Sequence, residues 1–193
     1  YNKMMKDLIA ALKANGPRVK PKVRLLYTGG HADNPEFFDL LQQNDAHVVS
    51  DNTGFGTRAA DVLIREDGEP LEAIIDYYFE EKPAATRQMG TQVERMERLL
   101  DLVKQYKADG VVASRLYMCD LWAFEHFLMR KRLHENNVPF LELEVDYTPE
   151  GQGQIKTRVQ AFVESLASGK TQSRSRSRRR FDARSFQERL RCR

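Results

Sequence analysis

The sequence predicts an α/β protein in which a parallel sheet of about four strands is flanked by helices. Four short apolar runs, each bounded by polar or turn-forming residues, have the length and composition of buried strands. Amphipathic helical patterns lie between these runs, and strands that alternate with helices form right-handed crossovers and parallel sheets covered on both faces. This arrangement is typical of Rossmann and flavodoxin-like folds.

The first two predicted strands are separated by one helix. Val23–Tyr27 is a short apolar run that is soon followed by two glycines, as expected of a buried strand. Pro35 opens a helical pattern, because a proline at the first helical position lacks only an N–H group that would have no partner there. Ala46–Val49 is the second predicted strand, and residues 50–56 form a predicted polar loop.

Two helical patterns precede the third strand. The first begins at Pro70 and carries one apolar stripe, which is typical of a helix with one face on the core. This stripe consists of Leu71, Ile74, Ile75, Tyr78 and Phe79. The second pattern runs from about Gly90 to Tyr106, and its apolar positions are Val93, Met96, Leu99, Leu100, Val103 and Tyr106. The charged residues between them, including Arg95, are interpreted as a solvated face.

The remaining strands and helices follow the same alternation. Val111–Ser114 is the third predicted strand and Phe140–Val145 is the fourth. A helix is predicted after each strand, from Asp120 to about Asn136 and from Gln154 to Leu166. In open α/β sheets, ligands bind outside the carboxyl ends of the strands, which meet at one edge. We therefore expect a functional site in the loops that follow the strands.

The chain divides into three predicted parts. Residues 1–19 contain a helical apolar pattern that we interpret as a helix linking the body to an N-terminal part missing from this sequence. Residues 20–167 form the α/β body. Residues 168–193 form a tail with the Arg/Ser tract TQSRSRSRRR, which is predicted to be disordered because it cannot bury enough apolar surface.

The net charge of +3 combines two regions of opposite sign. Residues 169–193 hold ten Lys/Arg and two Asp/Glu, a net charge of +8, so the other 168 residues carry a net charge of −5. The body therefore lacks the basic excess of a nucleic-acid-binding domain. One open interpretation is a flavodoxin-like binding module whose tail contacts RNA or acidic partners. No aromatic residue interrupts the Arg/Ser tract, so such binding would be nonspecific.

Composition excludes several classes of protein. Two cysteines are too few for a disulfide scaffold, and the four histidines show no metal-ligand spacing. No apolar run approaches the ~18 residues of a membrane span, and no secretory leader follows Tyr1, so we expect a cytoplasmic protein. Gly29 and Gly30 lack the patterns of dinucleotide and P-loop sites, so a turn explains them better than a nucleotide site does.

Cys119 is the residue best placed for chemistry. It follows the third strand and precedes a helix, and the positive end of a helix dipole favours a thiolate. A thiolate can ligate iron or zinc or attack an electrophile, whereas a half-buried structural cysteine is the alternative. One thiolate cannot hold an iron–sulfur cluster, and the second cysteine, Cys192, lies in the tail. Any further cluster ligands must therefore come from sequence that is absent here.

Three segments of the second half carry a resemblance to a known family. The runs CDLWAFE from Cys119, LELEVDYT from Leu141 and GQIKTRVQAFVE from Gly153 resemble the C-terminal part of the 2-hydroxyacyl-CoA dehydratase and benzoyl-CoA reductase family. The resemblance spans roughly residues 20–166 and includes the loop 51–58. The sequence departs from the family at Leu121, where proline is usual.

The resemblance implies an iron–sulfur enzyme built from two related subunits. Each subunit would hold a [4Fe–4S] cluster through three cysteines, and Cys119 matches the third of them. An ATP-dependent activator protein would deliver one electron, which the cluster would pass to an acyl-CoA in radical dehydration or aromatic-ring reduction. The sequence leaves open which of the two subunits, which acyl-CoA and which of the two reactions apply.

The resemblance and the strand-end positions together nominate residues that contact the acyl-CoA, whereas catalytic residues are not identified. The nominated residues are Gly29, Gly30, Asn52, Thr53, Asp120, Glu125 and Arg158. Structural alternatives stay open for the last three. Asp120 would cap the helix that follows Cys119. Glu125 and Arg158 would form surface or interhelical ion pairs.

Overall fold

The structure is a computed structural model that describes residues 1–16, 19–30, 34–42, 45–146 and 153–169. The predicted disordered tail, with Cys192, lies outside the described residues apart from its first two positions. Most of the loop after the fourth strand, residues 147–152, also lies outside them.

Four parallel strands form one sheet in the order β2-β1-β3-β4, which confirms the predicted α/β class. They are β1 (Val23–Gly29), β2 (Ala46–Asn52), β3 (Gly110–Leu116) and β4 (Phe140–Val145). The first three strands extend beyond their apolar runs at the carboxyl end. Polar residues continue the ladder there, with Thr28 of β1 paired to Asn52 of β2. The predicted loop after the second strand therefore begins at Thr53 rather than at Ser50.

The helices follow the predicted order, except that the short helix Thr57–Ala60 was not predicted. They are α1 (Asn2–Asn15), α2 (Pro35–Leu41), α3 (Thr57–Ala60), α4 (Pro70–Asp76), α5 (Gln92–Gln105), α6 (Asp120–Glu135) and α7 (residues 153–169). A π-helical turn, Tyr77–Glu81, continues α4. Pro35 is the first residue of α2, as predicted, and the Asn34 side chain accepts a hydrogen bond of 2.9 Å from the backbone N–H of Glu36. That bond satisfies one of the free N–H groups at the helix start.

The sheet carries a separate apolar core on each face. Leu25 and Tyr27 of β1 point to the face covered by α2 and α7, whereas Leu26 points to the face covered by α5 and α6. This alternation follows from the two-residue period of a strand. Because both faces are covered, ligands can reach the sheet only at its edges and strand ends.

The apolar stripe of α4 is exposed, contrary to the prediction that one face of this helix packs on the core. All five stripe residues are largely solvent-accessible, from 43% for Ile74 to 78% for Phe79. The helix instead buries Ala73 and Tyr77, and the Tyr77 hydroxyl donates a hydrogen bond of 3.2 Å to the Ala59 carbonyl oxygen. The small inward face holds α4 on the body and leaves the larger apolar face outward.

The clearest predicted helix, α5, is confirmed with two corrections. Met96, Leu99, Leu100 and Val103 are buried against the sheet, as predicted. Val93 was predicted to face inward but is 72% exposed. Arg95 was predicted to lie on a solvated face but is 7% exposed. Both corrections concern the first turns of α5, which project towards the carboxyl ends of the strands.

The N-terminal helix α1 forms where apolar residues recur at helical steps, and none of its residues is buried. Its assignment as a link to a further part of the protein stays a prediction. In the parts of the chain that the structure describes, no helix is both long and apolar enough to cross a membrane.

Candidate functional site

The chain leaves β1 through two glycines, Gly29 and Gly30, at the carboxyl ends of the strands, which are called the strand-end edge below. Gly29 has a φ of +135°, and a Cβ there would lie 2.1 Å from the carbonyl oxygen of Ser114 on β3. Only glycine fits this position, because the conformation and the close approach both exclude a side chain. The Gly30 N–H donates a hydrogen bond of 3.1 Å to the same oxygen, and a Cβ on Gly30 would lie 3.6 Å from Trp122 Nε1.

A buried pair of hydroxyl groups lies next to this turn. The Tyr27 hydroxyl and Ser114 Oγ are 2.5 Å apart, and both residues are buried. Burial raises the pKa of Tyr27 to about 12, and the bond with Ser114 offsets only part of that effect. The hydroxyl is therefore neutral at ordinary pH and acts as a tie between β1 and β3.

The loop after β2 is organised by one carboxylate, Asp51. Its oxygens accept hydrogen bonds from the backbone N–H and hydroxyl groups of both Thr53 and Thr57, at 2.6–3.3 Å. Burial alone would raise the pKa of Asp51, but these bonds outweigh it and hold the pKa below its usual value. Thr53, predicted to contact substrate, thus uses its hydroxyl to fix the loop.

Asn52 has an unused polar group at the end of β2. The residue is 8% exposed, and its Oδ1 atom has no hydrogen-bond partner among the described residues. A buried amide oxygen without a partner is costly, because it has given up its bonds to water. Of the predicted contact residues, Asn52 is the one whose side chain has free bonding capacity in a buried position.

Cys119 is the N-cap residue of α6 and is partly exposed. A tight turn after β3 puts it there, with Met118 at a φ of +61° and the Cys119 N–H bonded to the Leu116 carbonyl oxygen at 3.1 Å. The cysteine therefore lies beside the free N–H groups of the first turn of α6.

The predicted capping role of Asp120 is wrong. Asp120 is the first residue inside α6, and no side chain caps this helix. Its carboxylate lies instead in the first turn, where a negative charge interacts favourably with the helix dipole.

Glu125 forms a buried interhelical ion pair with Arg95. Arg95 Nε and Nη2 donate to the two Glu125 carboxylate oxygens at 2.7 and 2.8 Å, and both side chains are at most 7% exposed. Arg95 Nη1 also bonds to the carbonyl oxygens of Ala85 and Gln88 and to Thr91 Oγ1. The pair joins α5 to α6, and this saturates the Glu125 carboxylate.

Arg158 lies beside β4, the strand at the opposite edge of the sheet from β2. Its Nη2 donates a hydrogen bond of 2.7 Å to the backbone carbonyl oxygen of Glu142, and it forms no ion pair with any residue that the structure describes, contrary to the predicted alternative. Together with Arg115 and Arg130 it lines a surface cavity of about 600 Å³ along β4.

The structure brings some of the predicted site residues to one edge and separates the others. Gly29, Gly30, Asn52 and Thr53 lie at the ends of the adjacent strands β1 and β2, and Cys119 follows β3, which neighbours β1. Glu125 and Arg158 are engaged elsewhere, in the α5–α6 pair and beside β4.

Two buried polar residues on α5 and α6 were missed by sequence reasoning. Arg95 lies between Glu94 and Met96 on α5, and its charge suggested a solvated position. His126 was set aside for lack of metal-ligand spacing but is fully buried between Trp122 and Phe140. The one available signal for burial of Arg95 was its position four residues before Leu99, because residues four apart lie on the same face of a helix.

The described residues do not form a complete metal site. They contain no group of three or more His, Cys, Asp or Glu side chains placed to hold a metal ion. Cys119 is the one thiol among them. The described part of the chain therefore supplies at most one thiolate ligand at this edge.

The fold and the strand-end edge define a parallel α/β body of the type that binds ligands at strand ends. The sequence model of the 2-hydroxyglutaryl-CoA dehydratase D-component family matches residues 1–166, and the chain belongs to this family. The predicted relationship to acyl-CoA dehydratase and benzoyl-CoA reductase subunits is thereby confirmed.

Several curated relatives have similar sequences. A protein of Escherichia coli (strain K12) named as a dehydratase subunit, YjiM, is 29% identical over 78% of this chain and 39% of its own length. The (R)-phenyllactyl-CoA dehydratase beta subunit of Clostridium sporogenes is 24% identical over 86% of this chain and 44% of its own. One of the benzoyl-CoA reductase subunits of Thauera aromatica is 20% identical over the same shares. The chain thus spans about two fifths of the length of these relatives.

Proposed function

We propose that the chain is part of a subunit of an iron–sulfur-dependent 2-hydroxyacyl-CoA dehydratase that acts at the carboxyl ends of the strands. The observation that carries this proposal is the position of Cys119 at the strand-end edge and at the start of α6, because the resemblance described above implies that this cysteine is the third cluster ligand. An aromatic acyl-CoA reductase is the second candidate, supported by the similarity to a benzoyl-CoA reductase subunit.

A [4Fe–4S] cluster does not fit the described residues alone. Such clusters are held by three or four cysteine thiolates, and the described residues offer only Cys119. We assign Cys119 as one ligand and expect the others on polypeptide outside this sequence. The relatives support this expectation, because more than half of their length has no counterpart here. When bound, the cluster would supply one-electron reduction of an acyl-CoA.

The residues of this chain would bind and orient the substrate. Gly30 would let a ligand approach the backbone at the end of β1, because only Trp122 lies within 4 Å of the position that a Cβ would take there, and Trp122 would form one wall of the site. Asn52 would accept a hydrogen bond from a ligand through its free Oδ1 atom. The Asp51 network would keep the loop after β2 in place while the ligand binds. Substrate contacts through Glu125 would require breaking a buried ion pair, so we assign Glu125 a supporting role.

The partners follow from the same proposal. The relatives are named as subunits, which supports a homologous second subunit for this chain. An ATP-dependent activator protein would deliver the electron, and a cytoplasmic location would suit such an assembly.

Iron binding tests this proposal. The isolated chain, reconstituted anaerobically with iron and sulfide, should not assemble a [4Fe–4S] cluster, because it lacks enough ligands. The complete subunit, expressed with its partner, should hold one, and Cys119→Ser should lower its iron content and its visible absorption without unfolding it. Cys192→Ser is the matched control and should keep both. Equal iron content in the Cys119→Ser and Cys192→Ser proteins would contradict the assignment.

A further inference from the structure

Two arginines near the strand-end edge, Arg58 and Arg98, have unused bonding capacity. Arg58 is half-buried in α3, just after the loop that follows β2, and has no hydrogen bond or ion pair with any described residue. Arg98 lies on α5 and pairs with Asp61 through Nη1. Its Nε and Nη2 atoms are buried and have no hydrogen-bond partner among the described residues.

The free atoms of Arg98 form a defined binding geometry. Nε and Nη2 are the two donors on one side of a guanidinium group, and together they bind two oxygens of a carboxylate or phosphate. In the neighbouring Arg95 the same two atoms hold the two Glu125 oxygens at 2.7 and 2.8 Å. Arg98 thus has the same pair of donor atoms with which Arg95 binds the Glu125 carboxylate, but no described carboxylate is bound to this pair in Arg98.

Arg58 is the one arginine of this group that has no ion-pair partner among the described residues. It is repelled by Arg98 and Arg95, which are themselves paired with Asp61 and Glu125. Burial, followed by the charges of Arg98 and Arg95, lowers the pKa of Arg58, and Glu125 opposes this shift. The Asp51 oxygens accept hydrogen bonds from Thr53 and Thr57, and no ion pair joins Asp51 to Arg58.

We propose that Arg58 and Arg98 form a subsite for a phosphate group, with the oxygens of that group on Nε and Nη2 of Arg98 and beside the guanidinium of Arg58. This proposal rests on the proposed function in one respect, because the natural ligand of the subsite would be the diphosphate group of coenzyme A. The unpaired buried donors and the crowding of like charges would both be relieved by a bound dianion.

The ligand should approach from the strand-end side. On its other side, Arg98 borders a cavity of about 560 Å³ between α5 and the segment that follows α4. The exposed carboxylates of Glu80, Glu81 and Glu94 line that cavity and would repel an anion. Arg58 follows the loop after β2, so a phosphate beside it would lie near the loop that Asp51 organises.

The test follows the Nε–Hε resonance of Arg98 by NMR in the full chain. This readout is needed because the basic tail also attracts polyanions, and it reports the local site alone. The probes are inorganic pyrophosphate, coenzyme A and pantetheine, which lacks phosphate. We expect saturable shifts with the first two and none with pantetheine. Arg58→Gln should weaken binding at least tenfold, whereas Arg87→Gln, the same charge change at an exposed site, should not.

The melting temperature of the unliganded proteins serves as the folding control. Because Arg58→Gln removes an unpaired cation from a cluster of like charges, its melting temperature should equal or exceed that of the wild type. Arg58→Lys, which keeps the charge, should recover part of the binding. A lower melting temperature in Arg58→Gln, with unchanged pyrophosphate affinity, would overturn the subsite in favour of a structural role. Equal weakening by Arg58→Gln and Arg87→Gln, or no shift of the Arg98 resonance, would also overturn it.

The two proposals can fail separately. If pyrophosphate shifts Arg98 but coenzyme A does not, the phosphate subsite stands and the acyl-CoA function is contradicted. If coenzyme A binds and the complete enzyme holds its cluster while Arg98 is unaffected, the function stands and the subsite is wrong.

Discussion

The helices α4 and α5 follow each other in the chain and have similar apolar periodicity, but they use it in opposite ways. α5 buries Met96, Leu99 and Leu100 against the sheet, whereas α4 leaves Ile74 and Ile75 exposed. Conversely, α5 buries a charged residue, Arg95, that its sequence pattern assigned to solvent. Periodicity therefore predicts that a helix forms and has two faces, but it does not say what covers each face.

The difference has a physical cause in the position of the two helices. α5 crosses the face of the sheet formed by β1 and β3, and a helix there must bury its apolar stripe. α4 lies in the long connection between β2 and α5, and it is held by Ala73 and Tyr77 rather than by its stripe. The contribution of each residue to stability should follow this difference.

The largest effect is expected at the buried ion pair. Arg95→Ala would leave the Glu125 carboxylate buried without a partner, and breaking such a pair costs about 3–5 kcal/mol of the free energy of unfolding. Arg132 on α6, whose partner Glu97 lies on α5, provides the matched control. Because that pair is solvent-exposed, Arg132→Ala should leave urea unfolding unchanged. Equal loss in the two variants would mean that burial does not separate the two pairs.

The next effect compares one aliphatic residue from each helix. Leu99→Ala on α5 should cost about 2–5 kcal/mol, because Leu99 is 1% exposed and its removal leaves a cavity. Ile75→Ala on α4 should cost less than about 1 kcal/mol, because Ile75 is 47% exposed and gives up little burial. Urea denaturation of both variants measures the difference. A large loss for Ile75→Ala would show that the α4 stripe is covered in solution.

A pH effect is expected from His126, a buried polar residue on α6. Burial lowers its pKa, although Glu142, whose Oε1 lies 3.4 Å from Nδ1, opposes the shift, and Arg115 and Arg130 add to it. The unfolded chain therefore binds the proton more readily, so stability should fall as pH drops below about 6.5, by at most ~1.4 kcal/mol per pH unit. Chemical unfolding of wild type and His126→Gln between pH 7 and about 5 measures this, and the variant should lose the slope. An identical slope in both would assign the dependence to other groups.

The smallest effect concerns the surface of α4. Phe79→Ser should leave the unfolding free energy within about 0.5 kcal/mol of wild type, because Phe79 is 78% exposed. It should also reduce binding of a hydrophobic dye, since it removes part of the exposed apolar patch. Val93→Ser on α5, another exposed apolar position, serves as the companion variant. Destabilisation by Phe79→Ser alone would place a contact on the α4 stripe.

The sequence predicted the order of strands and helices because local apolar runs and breakers determine them. It predicted the glycine turn at Gly29 for the same reason, since glycine adopts a φ of +135° far more readily than any residue with a side chain. It did not predict the Arg95–Glu125 pair, because its two members are 30 residues apart and meet only when α5 and α6 pack. The free donors of Arg98 likewise depend on packing, and no local pattern reveals them.

The positions of the candidate site residues were predicted in outline and not in detail. The carboxyl ends of parallel strands meet by topology, so the positions of Gly30, Asn52 and Cys119 near one edge followed from the fold. The functions of Thr53 and Asp120 did not follow, because a hydroxyl or carboxylate can serve the loop or helix that carries it. Only the contacts in the folded protein distinguish these roles.

The most direct test of the account is a map of coenzyme A binding on the full chain by amide NMR shifts. Saturable shifts are expected at the carboxyl ends of the strands, at Gly29, Gly30, Thr53 and Arg58. No shifts are expected at the opposite, amino-terminal ends of the strands, near Lys22 and Asp109. Shifts confined to the opposite edge or to the basic residues 170–193 would contradict a functional site at the carboxyl ends of the strands.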